Sequence, residues 1–251
     1  MKAYVKSKIS NGLGEVEFYH PKSNSLPYSL LDQLSLEIKQ LGGNDNVKCI
    51  LLKSGGSKAF CAGASFDELL TIENELQGKH FFLGFAKVIL AIKQVPKLVV
   101  TSVQGKVVGG GIGLVCASDY VIAHESASIK LSELSIGIGP FVIAPVVQRK
   151  LGLAHFTNMC LNPKEWKTSA WAQDKGIYSE IYSHMDDLNF RLSQLINEYV
   201  NYSSETIFKI KSMFWDGFES IEKEMEKRAE QSGQLVLSDS TKKILKSLQS
   251  K

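Results

Sequence analysis

Apolar and polar residues alternate along two rhythms in this chain, and the rhythm changes mark its elements. Residues 2–9 and 15–18 alternate with a period of two on either side of Asn11-Gly12, a dipeptide suited to a tight reversal, so an antiparallel hairpin is expected. Leu30, Leu31, Leu34, Ile38 and Leu41 recur at helical spacing over residues 28–41. Short apolar runs at 47–52, 98–103, 120–123 and 128–131 read as buried strands. Helices are expected over 66–76 and 79–93, the second stopped by Pro96.

After Pro140 the pattern is helical almost throughout, over 143–151, 153–161, 166–174, 187–200, 205–215, 220–235 and 241–248. Strands separated by helices imply a mainly parallel sheet. The reading is an α/β body over residues 1–190 and a helical region over 191–251, packed on the body or on a neighbouring subunit. No internal repeat interrupts it.

Composition narrows the class. With 251 residues, 44% hydrophobic and 22% charged, the chain can fill one sizeable core. The net charge of +3 is spread without a dense basic block, so a nucleic-acid partner is not implied. Cys49, Cys61, Cys116 and Cys160 stand singly in apolar runs, which suits buried thiols and neither disulfides nor a metal site. The start of the chain has no apolar core of a signal peptide and no run is long enough for a membrane span, so a cytoplasmic protein without a membrane partner is expected.

Candidate chemistry lies in two small-residue turns. Gln104-Gly105-Lys106-Val107-Val108-Gly109-Gly110-Gly111-Ile112-Gly113 follows an apolar strand and opens a helix, where bare N–H groups can face a phosphate or an oxyanion. Its spacing fits neither a dinucleotide fingerprint nor a P-loop. A second turn, Ala59-Phe60-Cys61-Ala62-Gly63-Ala64-Ser65-Phe66, also leads from a strand to a helix. Two such turns can aim two N–H donors at one carbonyl oxygen, as a thioester enolate requires.

Together with His20-Pro21-Lys22-x-Asn24-x-Leu26, Pro96-Lys97 and Ser118-Asp119-Tyr120-x-Ile122-Ala123, these motifs resemble the ordered signatures of the crotonase (enoyl-CoA hydratase/isomerase) superfamily over residues 5–240. The resemblance implies a crotonase (ClpP-like) spiral of ββα units with a C-terminal helical trimerisation region, assembled as a homotrimer or homohexamer. It implies an acyl-CoA substrate and no separate cofactor, since coenzyme A enters as part of the thioester. The oxyanion-hole donors carry over to the N–H groups of Ala64 and Gly110.

Hydratases of this superfamily place two glutamates beside the substrate double bond. The first position is occupied here by Gly113 and the second by Glu133, within Leu131-Ser132-Glu133-Leu134. An enoyl-CoA hydratase-like reaction on a short or branched acyl group through Glu133 is therefore expected, with Glu68 or His80 as candidates for the missing partner. The alternatives are a Δ3,Δ2-enoyl-CoA isomerase, for which one carboxylate suffices, and a non-catalytic acyl-CoA-binding protein. Burial would raise the pKa of Glu133. Lys22, Ala62, Ser65, Phe66 and Phe141 are the candidate substrate contacts, with Phe81, Phe82 and Phe85 as further wall candidates. Several segments, Gly137-Ile138-Gly139-Pro140-Phe141 among them, are similar to bacterial methylglutaconyl-CoA hydratases.

Overall fold

A computed structural model describes residues 1–249. Ser250 and Lys251, the end of the 191–251 region, lie outside the described residues. In chain order the elements are β1 (Tyr4–Ser10), β2 (Leu13–Tyr19), β3 (Ser25–Leu26), α1 (Tyr28–Gly43), β4 (Cys49–Ser54), β5 (Ala59–Cys61), β6 (Gly63–Ala64), α2 (Phe66–Leu69) and α3 (Glu75–Gln94). They continue with β7 (Leu98–Val103), β8 (Lys106–Val108), α4 (Gly110–Ala117), β9 (Tyr120–His124), β10 (Ile129–Lys130) and a 3₁₀ turn (Glu133–Ile136). The last are α5 (Ala144–Leu161), α6 (Ser169–Asp174), β11 (Glu180–Tyr182), α7 (Met185–Tyr199), α8 (Ser204–Phe214), α9 (Ile221–Val236) and α10 (Asp239–Gln249).

The main sheet has the order β1-β2-β4-β7-β9-β11 and is parallel from β2 onward. Asn11 and Gly12 both take positive φ, 49° and 79°, which lets the β1–β2 hairpin close in two residues. A smaller sheet, β10-β8-β5, and the β3–β6 pair complete a crotonase-like spiral of ββα units with a helical C-terminal region. The β4 residues Cys49, Ile50, Leu51 and Leu52 are all buried because both faces of the sheet are covered. Ile50 and Leu52 join the main core with α1 and α3, whereas Cys49 and Leu51 meet Leu188, Leu192 and Leu195 of α7.

Residue 191 lies inside α7, whose leucines pack on the sheet. Farther along, α9 crosses α3 at a glycine pair, where a β-carbon on Gly78 would stand 2.6 Å from the Cα of Gly233. Buried Lys211 of α8 donates to the carbonyls of Ile92 and Lys97 at 2.7 Å each and pairs with Asp119 at 3.0 Å. No helix among the described residues is long and apolar enough to cross a membrane.

Three local expectations differ from the structure. Helix 66–76 is only α2, because Asn74 accepts the N–H of Gln77 and starts α3 anew. The glycine run is not one continuous turn, since Lys106–Val108 forms β8 between β5 and β10. Strand β11 at the sheet edge falls in a stretch that carries no clear apolar alternation.

Candidate active site

Two backbone turns meet above one cavity. Strand β6 pairs with β3, where the N–H of Ala62 donates to the carbonyl of Asn24 at 3.2 Å and that of Ser65 to Leu26 at 2.9 Å. Gly63 between them takes φ +93°, a left-handed conformation that only glycine adopts at little cost. The Ala64 carbonyl, in the peptide that follows, accepts the Ser25 hydroxyl at 2.9 Å.

The facing turn is Gly109, with φ +54°, whose N–H donates to Lys130 at 3.0 Å. Gly110 then opens α4, so its N–H belongs to the unpaired donors of a helix start. A β-carbon on Gly63 would lie 4.0 Å from the Gly110 nitrogen, which brings the two turns side by side. A β-carbon on Gly110 would strike the Phe85 ring at 2.6 Å, so glycine is required there by packing.

Glu133 opens the 3₁₀ turn that follows β10. Gly137, in the left-handed region at φ +81°, ends that turn, and its carbonyl accepts the hydroxyl of buried Thr241 of α10 at 2.7 Å. The Glu133 carboxylate lies against the Cα of Gly109, where a β-carbon would be 2.8 Å from Oε1. Although the residue as a whole is half-buried, Oε2 is sealed from solvent and has no hydrogen-bond partner among the described residues. Burial pushes the Glu133 pKa from 4.5 up to about 7, against the lowering pull of nearby backbone N–H groups of Ser132 and Glu133.

The cavity, about 240 Å³, is walled by Ala62, Gly63 and Ala64 on one side, by Gly109, Gly110 and Glu133 on another, and by aromatic and aliphatic residues elsewhere. Glu133 is the only titratable side chain among the described residues that line it. At Gly113 there is no room for a second acid. A β-carbon there would meet Ile143 Cγ2 at 2.5 Å and Ile89 Cδ1 at 3.0 Å, and Ile143 itself forms part of the cavity wall.

Ala62, Phe66 and Phe141 lie on this wall, as do Ala64, Gly110 and the aromatic trio Phe81, Phe82 and Phe85. Ser65 does not: its hydroxyl caps α2 by accepting the Glu68 N–H. Lys22 also lies off the wall, exposed and paired with Asp67. Neither candidate partner for Glu133 lines the cavity: the Glu68 carboxylate accepts the Tyr28 N–H at 2.7 Å, and the His80 ring packs at a tilt against Tyr28, with ring centres 3.8 Å apart. The sequence reading missed Ile143 and Ser232, which reach the wall from distant elements. Ile143 lies two residues after Phe141, and that nearness in the chain is the one signal that could have found it.

A model of the enoyl-CoA hydratase/isomerase family matches residues 8–250. The chain belongs to that family. Within it, curated relatives include the short-chain-enoyl-CoA hydratase of Clostridium acetobutylicum, 29% identical over 50% of this chain and 48% of that protein. Another is the bacillaene synthase dehydratase PksH of Bacillus subtilis, 26% identical over 63% of this chain and 62% of that protein. The chain spans between 45% and 62% of the length of the curated relatives it matches. A solved enoyl-CoA hydratase from Bacillus halodurans superposes with a TM-score of 0.91 at 22% identity, covering 97% of this chain and 99% of that one, which establishes the shared fold. Membership of this family is consistent with a catalytic protein and an acyl-CoA thioester substrate.

Proposed function

We propose that this enoyl-CoA hydratase/isomerase family member shifts the double bond of a 3-enoyl-CoA to the 2-position, with Glu133 as its only acid–base group. The observation that carries the reading is the single carboxylate in a mainly apolar cavity whose other polar side chains are serines, with Ile143 filling the space beside Gly113. Hydration needs one group to direct water and another to handle the α-proton, whereas a 1,3-proton shift needs one base that returns what it removes.

The Ala64 and Gly110 N–H groups accept the thioester oxygen. Ionised Glu133 removes a proton from C2, and the electron pair moves into the carbonyl to give a dienolate whose oxygen the two donors hold. Each such donor contributes about 3 kcal/mol to the barrier reduction. The electron pair then returns through C2=C3, C4 takes the proton from the Glu133 carboxylic acid, and the carboxylate is restored. A pKa of about 7 suits a group that must both accept and give a proton near neutrality.

The acyl group is a short, uncharged alkenyl chain. No lysine, arginine or histidine is among the described residues lining the cavity, so a second carboxylate, as in methylglutaconyl-CoA, has no counter-charge. Phe141 limits the chain length.

Conjugated 2-enoyl thioesters absorb in the near ultraviolet, so an isomerase creates that absorbance from 3-hexenoyl-CoA and a hydratase removes it from crotonyl-CoA. The expected result is formation from 3-hexenoyl-CoA, abolished by Glu133→Gln. Hydration of crotonyl-CoA at a comparable rate would replace this reading with a hydratase. Thioester binding with neither reaction would leave an acyl-CoA-binding protein.

A further inference from the structure

The two donor turns share one buried side chain that has so far no assigned part. Cys61 ends β5, is fully buried, and its Sγ accepts the N–H of Gly63 at 3.4 Å. That N–H belongs to the residue just before Ala64. The flanking N–H groups of Ala62 and Ser65 have backbone acceptors on Asn24 and Leu26, while Gly63, turned by its positive φ, finds its acceptor in the sulfur. On its other side the same side chain touches the second turn, where a β-carbon on Gly111 would stand 2.7 Å from Cys61 Cβ and 3.1 Å from Sγ. Cys61 thus pins the peptide leading to one donor and is the surface on which the residue after the other donor rests.

We infer that Cys61 is a positioning residue that sets the spacing and direction of the Ala64 and Gly110 N–H groups, acting through the Gly63 hydrogen bond and the Gly111 contact. The inference rests on the oxyanion-hole part of the proposed function. Without the sulfur, the Gly63 N–H loses its acceptor at 3.4 Å, and a buried amide that loses a partner is costly enough for its peptide to rotate toward another. Such a rotation moves the Ala64 N–H, which belongs to the next peptide. Burial pushes the thiol pKa up to about 12, so at neutral pH the sulfur stays a protonated, neutral acceptor with no nucleophilic role.

The test separates this inference from the proton chemistry. Hexa-2,4-dienoyl-CoA, a conjugated thioester, is bound to the whole protein, and its C=O stretch is read by infrared or Raman difference spectroscopy. In the native protein the stretch is expected to fall relative to free thioester, because two N–H donors polarise the carbonyl. Cys61→Ala should lose at least half of that shift and lower kcat on 3-hexenoyl-CoA about tenfold or more, with KM within about twofold, since removing a whole oxyanion donor costs ~100-fold or more. Cys61→Ser, which keeps an acceptor, should recover most of both. Glu133→Gln should keep the full shift while losing turnover.

Cys61→Val keeps the bulk and removes the acceptor, and takes the place of Cys61→Ala should that variant not fold, as judged by thermal unfolding. A full shift and native kcat in the folded acceptor-less variant would overturn the role of Cys61 and leave the proposed function standing. So would a Cys61→Ser variant no better than Cys61→Ala. No shift in the native protein would overturn the oxyanion hole and, with it, this inference.

Discussion

Ile143 stands against Gly113, so close that a β-carbon on the glycine would lie 2.5 Å from its Cγ2. The side-chain space at Gly113 is therefore filled by Ile143 and Ile89, and α4 is buried from Gly111 to Ala117. Gly113→Glu alone should destabilise the protein by about 1–3 kcal/mol or more, as overpacked cores do, without creating hydration of crotonyl-CoA. Chemical denaturation and the crotonyl-CoA assay check both parts. Pairing it with Ile143→Ala should recover stability.

Glu133 links activity and stability to pH in opposite directions. As the base that starts the reaction it must be ionised, so kcat/KM should rise with pH through about 7 and then level. For stability, a carboxyl whose folded pKa is raised favours the protonated folded protein. That contribution, on the order of 3 kcal/mol, is fully present below 4.5 and is lost as pH rises through about 7. Glu133→Gln should therefore be inactive yet more stable than the native protein at pH 8, with the difference vanishing near pH 4.5. Paired denaturation curves at the two pH values measure this.

Much of the architecture is written in local pattern. The run over residues 98–103 is β7 itself, and the hairpin about Asn11-Gly12 forms where expected. Glu133, Ala64 and Gly110 could be named from motif order, and the three share one cavity. What sequence could not supply were relations across the fold. Nothing near Gly113 in the chain says that Ile143 will fill its side-chain space, and nothing near Glu68 says that it will bind the start of α1 at Tyr28. Ser65 looked like a substrate contact for its place in the turn, but a serine preceding a short helix also caps it, and the cap prevails.

Phe141 should set chain length. Its ring closes the wall beside Gly139, where a β-carbon would lie 2.6 Å away, so Phe141→Ala should enlarge the cavity. The ratio of kcat/KM for 3-decenoyl-CoA over 3-hexenoyl-CoA is expected to increase about tenfold or more, the worth of at least one accommodated methylene. An unchanged ratio would place the acyl tail elsewhere.

The buried Lys211–Asp119 pair should matter to stability alone. Lys211→Met strands the Asp119 carboxylate, still held by the Val99 N–H at 2.8 Å, without its cation. A loss of about 3–5 kcal/mol is expected, since removing one partner of a buried pair leaves an uncompensated charge. The pH dependence of kcat/KM should stay that of the native protein, because neither residue of the pair lines the cavity.

The most direct test of a one-base site follows the proton itself. With 3-hexenoyl-CoA deuterated at C2, a single carboxylate whose Oε2 is sealed from solvent should carry part of the label from C2 to C4 of the 2-enoyl product. Mass spectrometry and NMR of product from single turnovers in ordinary water read it. Deuterium at C4 well above background is the expected result. Product that forms at full rate with only solvent hydrogen at C4, in the native protein and in Glu133→Gln alike, would contradict it.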